Sequence, residues 1–151
     1  MKSKFWIIAI TLCLTVNESL MNWMLAVFVG NYGITEGFER GFRFFSLDGY
    51  LLSLSFRAIP FVALAFLIVI GKNILSKHIN IVSWCWLMSI VPFMAFGYWD
   101  VQHSLYTAAH TSSTTAIAYI FIPIYAVGVG FASGALGLVC AVIYSQIRKR
   151  T

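Results

Sequence analysis

Charged residues are scarce in this chain of 151 residues: Asp, Glu, Lys and Arg make up 10% of it, whereas soluble domains contain roughly 25%. Hydrophobic residues make up 60% of the sequence and aromatic residues 17%. So little polar surface cannot cover a water-soluble globule, which excludes a soluble enzyme and leaves no support for nucleic-acid binding. The composition predicts a polytopic membrane protein.

The motifs of common catalytic and cofactor-binding sites are absent as well. The sequence contains no nucleotide-binding loop, no HExxH, no CxxCH and no recognisable Ser/His/Asp set. Its three cysteines, Cys13, Cys85 and Cys140, lie in apolar segments without CxxC or CxH spacing. We therefore expect neither disulfides nor a thiolate metal site, and we expect a non-enzymatic protein without a cofactor.

Long apolar segments are present, and a spanning helix needs about 20 apolar residues. Four segments qualify, approximately residues 5–29, 50–70, 79–99 and 115–144. Lys2 and Lys4 precede the first segment as in a signal peptide, but no small-x-small cleavage site follows it, so we expect a retained helix. The sequence predicts an all-α membrane protein, with four transmembrane helices in a compact antiparallel bundle that forms a single domain over residues 1–151.

Basic residues flank these segments unevenly. One side would carry Lys2, Lys4, Lys72, Lys77, Arg148, Lys149 and Arg150, and the other only Arg40 and Arg43. The positive-inside rule then predicts that both termini are cytoplasmic, in a bacterial inner membrane. We name the "basic rim" as Lys72, Lys77, Arg148, Lys149 and Arg150. It would contact anionic lipid headgroups of the bilayer or an acidic cytoplasmic partner protein.

The segment between the first two predicted spans, residues 31–50, interleaves glycines with phenylalanines and two arginines. This pattern predicts a short amphipathic helix in the outer interface, with its rings in lipid and its arginines at the headgroups. A docking surface for an extracytoplasmic ligand is the alternative interpretation.

Each of the last three apolar segments contains one proline, Pro60, Pro92 or Pro123. A proline inside a helix removes a backbone hydrogen bond and kinks the helix. Prolines are common in spanning helices as structural kinks, and broken helices near the midplane can also mark transport sites.

Glu18 lies inside the first apolar segment, where a carboxylate needs a partner. On a continuous helix Thr11, Thr15, Glu18 and Asn22 would share one face, at spacings i, i+4, i+7 and i+11. Exposing this polar stripe to lipid would cost several kcal/mol by some estimates. We therefore expect it to face the bundle interior, a subunit interface or a watery cavity.

Arg57 in the second segment is the expected partner of Glu18. The predicted depths of the two residues differ by roughly 6 Å, which an arginine side chain can reach. A carboxylate accepts the guanidinium fork in bidentate fashion, with Asn17 or Asn22 filling the spare hydrogen-bond sites and Ser53 one turn away. The pair would act as a latch that fixes the helix register, or it would line an ion or proton path.

Asp100, His103 and His110 form a weaker constellation. If the stretch is helical, the three residues share a face, and their side chains are suitable ligands for zinc or copper or, for the histidines, pH sensors. However, Asp100 and His110 would lie about 15 Å apart on a straight helix, too far for one ion. We predict no metal site, and these residues are only weak candidates.

Small residues recur along the last segment in two ridges, Ala126, Gly130 and Gly134, and Ser133, Gly137, Ala141 and Ser145. Faces of this kind let helix backbones approach closely in lipid. Because two ridges suggest two neighbours, one of which would belong to another copy, the sequence favours a homo-oligomer with this helix at the interface.

These features favour a non-enzymatic, homo-oligomeric sensor or anchor subunit that works with a partner protein. The size and topology are similar to those of small four-span bacterial proteins that act in bacteriocin immunity or phage defence, a resemblance that no motif carries. The alternative is a small ion channel or transporter subunit with a polar path lined by the first two helices.

Overall fold

The computed structural model describes residues 3–43, 45–75, 77–107 and 115–148. This part of the chain forms seven α-helices and no strand. The helices are α1 (Ser3–Thr15), α2 (Glu18–Phe28), α3 (Ile34–Gly41), α4 (Leu47–Arg57), α5 (Ile59–Ile74), α6 (Ile79–Thr107) and α7 (Thr115–Arg148).

Two of these helices, α6 and α7, are each long and apolar enough to cross a membrane. The pairs α1–α2 and α4–α5 reach that length only if each bent pair counts as one span, so the described residues contain two to four candidate spans. Much apolar surface stays exposed, as on Phe66, Ile74 and Leu136. Since water would penalise that surface, the fold supports a membrane protein.

The first predicted span, residues 5–29, is not one continuous helix, which corrects the sequence prediction. The chain bends by 66° between α1 and α2. Asn17 lies at the break: its backbone is extended, and its side-chain oxygen accepts a hydrogen bond of 2.8 Å from the backbone N–H of Leu20. An asparagine that caps a new helix competes with continuation of the old one.

The second predicted span is broken as well, by a 40° bend between α4 and α5. Pro60 lies in the first turn of α5, a position that tolerates its missing N–H and its fixed φ. By contrast, Pro92 and Pro123 lie inside α6 and α7 without ending either helix. Thus only one of the three prolines coincides with a helix break.

Helix α6 is the centre of the bundle and packs against α2, α5 and α7. Its buried side chains include Trp86, Leu87, Ile90, Met94 and Tyr98, which recur every three or four residues. The indole N–H of Trp86 donates to the carbonyl of Pro60 over 3.3 Å. This bond attaches the first turn of α5 to the central helix.

Helices α6 and α7 are antiparallel and lie very close together. Gly130 faces Trp86, and Gly137, further along α7, faces Cys85 and Ile81, earlier on α6. The hydroxyls of Ser89 and Ser133 lie 2.6 Å apart across the same contact and form a hydrogen bond. Small residues on α7 therefore make room for the large side chains of α6.

The bundle has two distinct ends. Helix α3, the start of α4 and the end of α6 lie at one end, which we name the α3 end. The end of α5, the start of α6 and the end of α7 lie at the other, which we name the basic end because Lys72, Lys77 and Arg148 are there. This arrangement is seen in the contacts of Gly71 on α5 with Ile79 on α6 and of Gly137 on α7 with Ile81 on α6.

Helix α3 is the short helix predicted from residues 31–50. It packs on α2 through two glycines: a Cβ on Gly41 would lie 2.8 Å from the backbone of Trp23, and one on Gly37 would lie 2.7 Å from Val27 Cγ2. Ile34 and Phe38 are exposed. The same helix carries an ion pair at its surface, with Arg40 Nη2 at 3.4 Å from Glu36 Oε1.

A candidate functional site at the two helix breaks

The two helix breaks face each other, and each carries one charged side chain. Glu18 is the first residue of α2, and Arg57 is the last residue of α4. The hydroxyl of Ser53, one turn before Arg57, donates to Glu18 Oε2 over 2.9 Å. A carboxylate in the first turn of a helix also interacts favourably with the helix dipole. Hence Glu18 is stabilised by its own helix as well as by α4.

Arg57 is completely buried. Its Nη1 donates to the carbonyl of Val16 over 3.4 Å and lies 3.9 Å from Glu18 Oε2. Its guanidinium carbon lies 4.8 Å from the centroid of the Tyr50 ring. The break between α1 and α2 thus leaves the carbonyl of Val16 without a donor from its own helix, and Arg57 of the second bent pair donates to it. Apolar surroundings require such a partner for every backbone carbonyl.

The structure brings Glu18 and Arg57 together, but not in the predicted bidentate geometry. Charge-assisted N–H···O bonds measure roughly 2.7–2.9 Å, shorter than the 3.9 Å found here. Arg57 Nε and Nη2 have no hydrogen-bond partner among the described residues. Ser53, and neither asparagine, fills the second site on the carboxylate, because Asn17 is used as the cap of α2.

The predicted polar stripe does not run along one continuous helix. Thr11 and Thr15 are exposed, and the hydroxyl of Thr15 donates to the carbonyl of Thr11 over 2.9 Å. The bend at Asn17 turns α1 away from the direction of α2, so four residues spaced for one straight helix do not share a face. Asn22, on α2, remains on the same side as Glu18.

A cleft of about 300 Å³ lies beside Glu18, towards the α3 end. We name it the polar cleft. Its polar side chains come from Glu18, Ser19, Asn22, Ser46 and Gln102, and the rings of Phe45 and Tyr50 also line it. A second cleft of about 330 Å³ shares Glu18 and Gly49 with the first but is otherwise mostly apolar. Glu18 therefore separates two clefts of different character.

A continuous row of aromatic rings joins α3 to the charge pair. Centroid distances are 6.4 Å for Trp23–Phe38, 4.4 Å for Phe38–Phe42, 6.0 Å for Phe42–Phe45 and 5.8 Å for Phe45–Tyr50. Tyr50 ends the row against Arg57. Its hydroxyl donates to the carbonyl of Leu14 over 3.0 Å, which holds the ring in place.

Sequence reasoning missed Tyr50, Phe45 and Gln102. A signal for Tyr50 exists, because positions 50, 53 and 57 are spaced to lie on one face of a helix, and that face holds the ion pair. Phe45 and Gln102 come from other elements that only the folded chain brings to this place. Phe45 belongs to the aromatic pattern of residues 31–50, but no local pattern predicts its place beside Glu18 or points to Gln102.

The weak metal candidates do not form a site in the described part of the chain. Asp100 is exposed and His103 half-buried near the end of α6, and the described residues contain no group of three or more His, Cys, Asp or Glu side chains able to hold a metal. Backbone carbonyls of Asp100 and His103 accept from the hydroxyls of Ser104 and Thr107. His110 lies outside the described residues.

Several small residues on the two ridges of α7 face α6 of the same chain, and the homo-oligomer interface expected on these ridges stays a prediction. Ala126, Gly130, Gly134, Gly137 and Ala141 are buried within the single chain, and Ser133 is half-buried. Gly130 and Gly134 meet Trp86, and Gly137 meets Cys85. Large side chains of α6 therefore occupy the ridges at these three glycines, so the glycines themselves give no evidence for a second copy.

The described members of the basic rim, Lys72, Lys77 and Arg148, are exposed and lie at the basic end. Lys149 and Arg150 lie outside the described residues. Between this end and the charge pair, the interior is apolar, with Phe5, Ala9, Leu64, Trp86 and Leu87 all buried. The polar site is thus separated from the basic rim by hydrophobic packing.

Comparisons with protein-family models, with curated proteins and with solved structures give no match to this chain.

Proposed function

We propose that the protein is a four-span membrane bundle with both ends on the cytoplasmic side, and that it works as a non-enzymatic sensor subunit. In this proposal the polar cleft faces outward and receives the stimulus. The Glu18–Arg57 pair acts as a latch between the two bent spans. The basic rim binds a partner protein or the inner lipid surface. The observation that carries the proposal is the meeting of both helix breaks at one charge pair.

Bends at a charge pair suit a switch for a physical reason. Each break frees the two halves of a span to change their angle, and the contact between Glu18 and Arg57 is loose at 3.9 Å. A stimulus that strengthens or replaces this contact would change the angle between the halves. Two packings that differ by a few kcal/mol are sufficient for such a response.

The row of rings supports a route for the signal. It begins on α3, whose Phe38 is exposed, and ends at Tyr50 against Arg57. Packed side chains that contact one another can carry coupling between sites. A ligand in the polar cleft would contact this row directly through Phe45 and Tyr50.

A transport function is the second candidate. Broken helices that meet near the bilayer midplane form the ion and substrate sites of many secondary transporters, and the meeting of the two bent pairs at the charge pair supports this candidate. Against conduction, buried apolar side chains such as Leu64 and Trp86 fill the interior between the charge pair and the basic end. A pore that conducts ions would need a hydrated path lined by polar groups through this region.

Self-association stays part of the proposed sensor, with a changed interface. Because α6 covers the ridges at Gly130, Gly134 and Gly137, we place a second copy on the exposed face of α7 around Gly128 and Ala132. Gly128 has no neighbour within 4 Å of the position of a Cβ, which leaves room for another helix. Gel filtration or native mass spectrometry of the gently solubilised protein, with Gly128→Leu as the disrupting variant, measures this directly.

The latch is tested by distance measurements between spin labels. In a background without native cysteines, labels at Ile10→Cys on α1 and Phe66→Cys on α5, both exposed positions, report the arrangement of the two bent spans. We expect Arg57→Gln to change the distance distribution and Arg40→Gln, in the surface pair with Glu36, to leave it unchanged. An unaltered distribution in Arg57→Gln contradicts the latch.

Ion flux into reconstituted vesicles distinguishes the two functions. A sensor is expected to give no flux above that of protein-free vesicles. Flux whose selectivity changes in Glu18→Gln would instead establish the transport candidate, because Glu18 is the charged group at the centre of its path.

A further inference from the structure

We propose that the polar cleft binds a small organic cation, a primary or quaternary ammonium compound, with Glu18 as its counter-ion. This inference rests on the proposed sensor function and names the chemical class of its stimulus. The juxtaposition that carries it is a partly exposed carboxylate beside two aromatic rings in a cleft of about 300 Å³, which is at the lower end of the size range of ligand pockets.

The charge at the cleft surface is negative. Among the residues that the structure describes, Glu18 is the only charged side chain that lines it, whereas Arg57 does not line it and is completely buried. About a quarter of the Glu18 side chain is exposed (26%). Its Oε2 accepts from Ser53, and no hydrogen bond reaches Oε1 from the described residues. The carboxylate therefore keeps acceptor capacity on its exposed side.

The aromatic wall suits a cation. The Phe45 and Tyr50 rings lie 5.8 Å apart and tilted by 47°, so their faces are not stacked against each other. Tyr50 already interacts with one cation, the guanidinium of Arg57, which shows that its ring is accessible to positive charge from the protein side. Aromatic rings around a carboxylate are suited to ammonium groups that carry their own apolar surface.

The amides of Asn22 and Gln102, from α2 and α6, complete the recognition. Both line the cleft, and an amide can donate to or accept from a polar tail on the ligand. A ligand with one ammonium head and one hydroxyl or carbonyl tail would use the carboxylate, the rings and one amide together. Small inorganic cations would use only the carboxylate and leave the apolar wall uncovered.

The Nε and Nη2 of Arg57, which have no hydrogen-bond partner among the described residues, would instead suggest an anionic ligand for the polar cleft. However, an anion in the polar cleft would meet the Glu18 carboxylate first, because the guanidinium lies behind it with no exposed surface. Coulomb repulsion at that contact disfavours the anion. The experiment therefore includes an anionic probe.

The test uses the full chain in nanodiscs and three matched probes: choline chloride, its uncharged isostere 3,3-dimethyl-1-butanol, and sodium acetate. Calorimetry measures the affinity of each probe at constant ionic strength. We expect choline to bind, and the isostere and acetate to bind at least about tenfold more weakly, since a contact to a charged group contributes that much. Equal affinities for choline and its isostere, or a preference for acetate, would overturn the proposal.

Three variants locate the binding. Glu18→Gln should weaken choline binding about tenfold or more, and Phe45→Leu, at an exposed loop position, should weaken it severalfold without touching the charge pair. Asp48→Asn, whose exposed carboxylate does not line the cleft, should leave the affinity unchanged. If Phe45→Leu binds like the wild type, or if Asp48→Asn loses binding equally, the cation does not occupy this cleft.

Failure here is distinguishable from failure of the sensor proposal. The spin-label distances respond to Arg57→Gln if the latch exists, whatever the ligand is. A responsive latch together with absent choline binding would reject only the ligand class.

Discussion

Gly130 lies so close to the indole of Trp86 that a methyl group on its α-carbon would overlap the ring, reaching 2.6 Å from Nε1 and 2.7 Å from Cδ2. On its other side the same indole donates its N–H to the carbonyl of Pro60. Trp86 is therefore held between α7 and the broken span, and the absence of a side chain on Gly130 is a condition of the bundle.

Replacing Gly130 with alanine should destabilise the protein by about 1–3 kcal/mol, because overpacking forces the indole or a backbone to move. Gly128 provides a matched control two residues away, since a Cβ there has nothing within 4 Å, and Gly128→Ala should leave stability unchanged or raise it by up to about 1 kcal/mol, because a helix interior favours alanine over glycine. Unfolding in mixed micelles, followed by tryptophan fluorescence, measures both. Equal stability of the two variants would refute the close packing.

The Glu18–Arg57 contact is tested by a double-mutant cycle. Arg57→Ala removes the bond to Val16 and leaves a carboxylate without its cation, at a cost on the order of 3 kcal/mol. If the two side chains interact, Arg57→Ala and Glu18→Gln should couple by about 0.5–3 kcal/mol. Additive effects would show that the 3.9 Å contact contributes nothing.

The same cycle on the exposed pair of Arg40 and Glu36 serves as its control. Both side chains are about half exposed (52% and 55%), so solvent screens their interaction, and we expect a coupling below about 0.5 kcal/mol. A larger coupling on the surface than at the buried pair would contradict the importance we give to burial.

Asn17 should matter as a helix cap. Its side chain accepts from Leu20 N–H at the start of α2, and replacing a capping asparagine with alanine costs about 0.5–2 kcal/mol. Asn17→Ala should therefore lower stability, while Asn73→Ala, at an exposed position near the end of α5, should not. Asn17→Asp should retain most of the cap. A neutral Asn17→Ala would mean that the break has another cause.

The orientation of the bundle is tested by labelling with a membrane-impermeant maleimide on intact cells. In a background without native cysteines, Glu39→Cys on α3 should react at once, and Lys77→Cys at the basic end should react only after permeabilisation. Both positions are exposed in the structure, so accessibility to the reagent depends on the side of the membrane. The reverse pattern would place the basic end outside, against the positive-inside rule.

The sequence predicts the helical class and the apolar segments well, because hydropathy depends only on composition along the chain. It does not predict the breaks, since a window of apolar residues is insensitive to one capping side chain such as Asn17. The cap competes with a possible role as a partner of Glu18, and only geometry decides between them. The same limit explains Thr15, whose expected place on one face with Glu18 assumed a straight helix.

The charge pair and the glycine ridges illustrate another limit. Opposite charges in neighbouring apolar segments predict a contact, and small residues predict a close approach, but neither pattern identifies the partner surface. The space beside Gly130 is filled by the indole of Trp86 from the same chain. A ridge of small residues in the sequence does not tell which side chain will fill that space. Likewise, the long Arg57–Glu18 distance depends on the angles of two bends that no sequence rule supplies.

The bond from the Tyr50 hydroxyl to the carbonyl of Leu14 bears on the order of assembly during biosynthesis. Leu14 lies in the last turn of α1, where backbone carbonyls have no intrahelical donor, and its carbonyl accepts from the nearby Asn17 amide over 3.4 Å and from Tyr50, 36 residues later, over the shorter 3.0 Å. The shorter of the two bonds at the end of α1 therefore forms only after α4 has been synthesised. A nascent chain truncated before Tyr50 would hold its opening segment without this restraint.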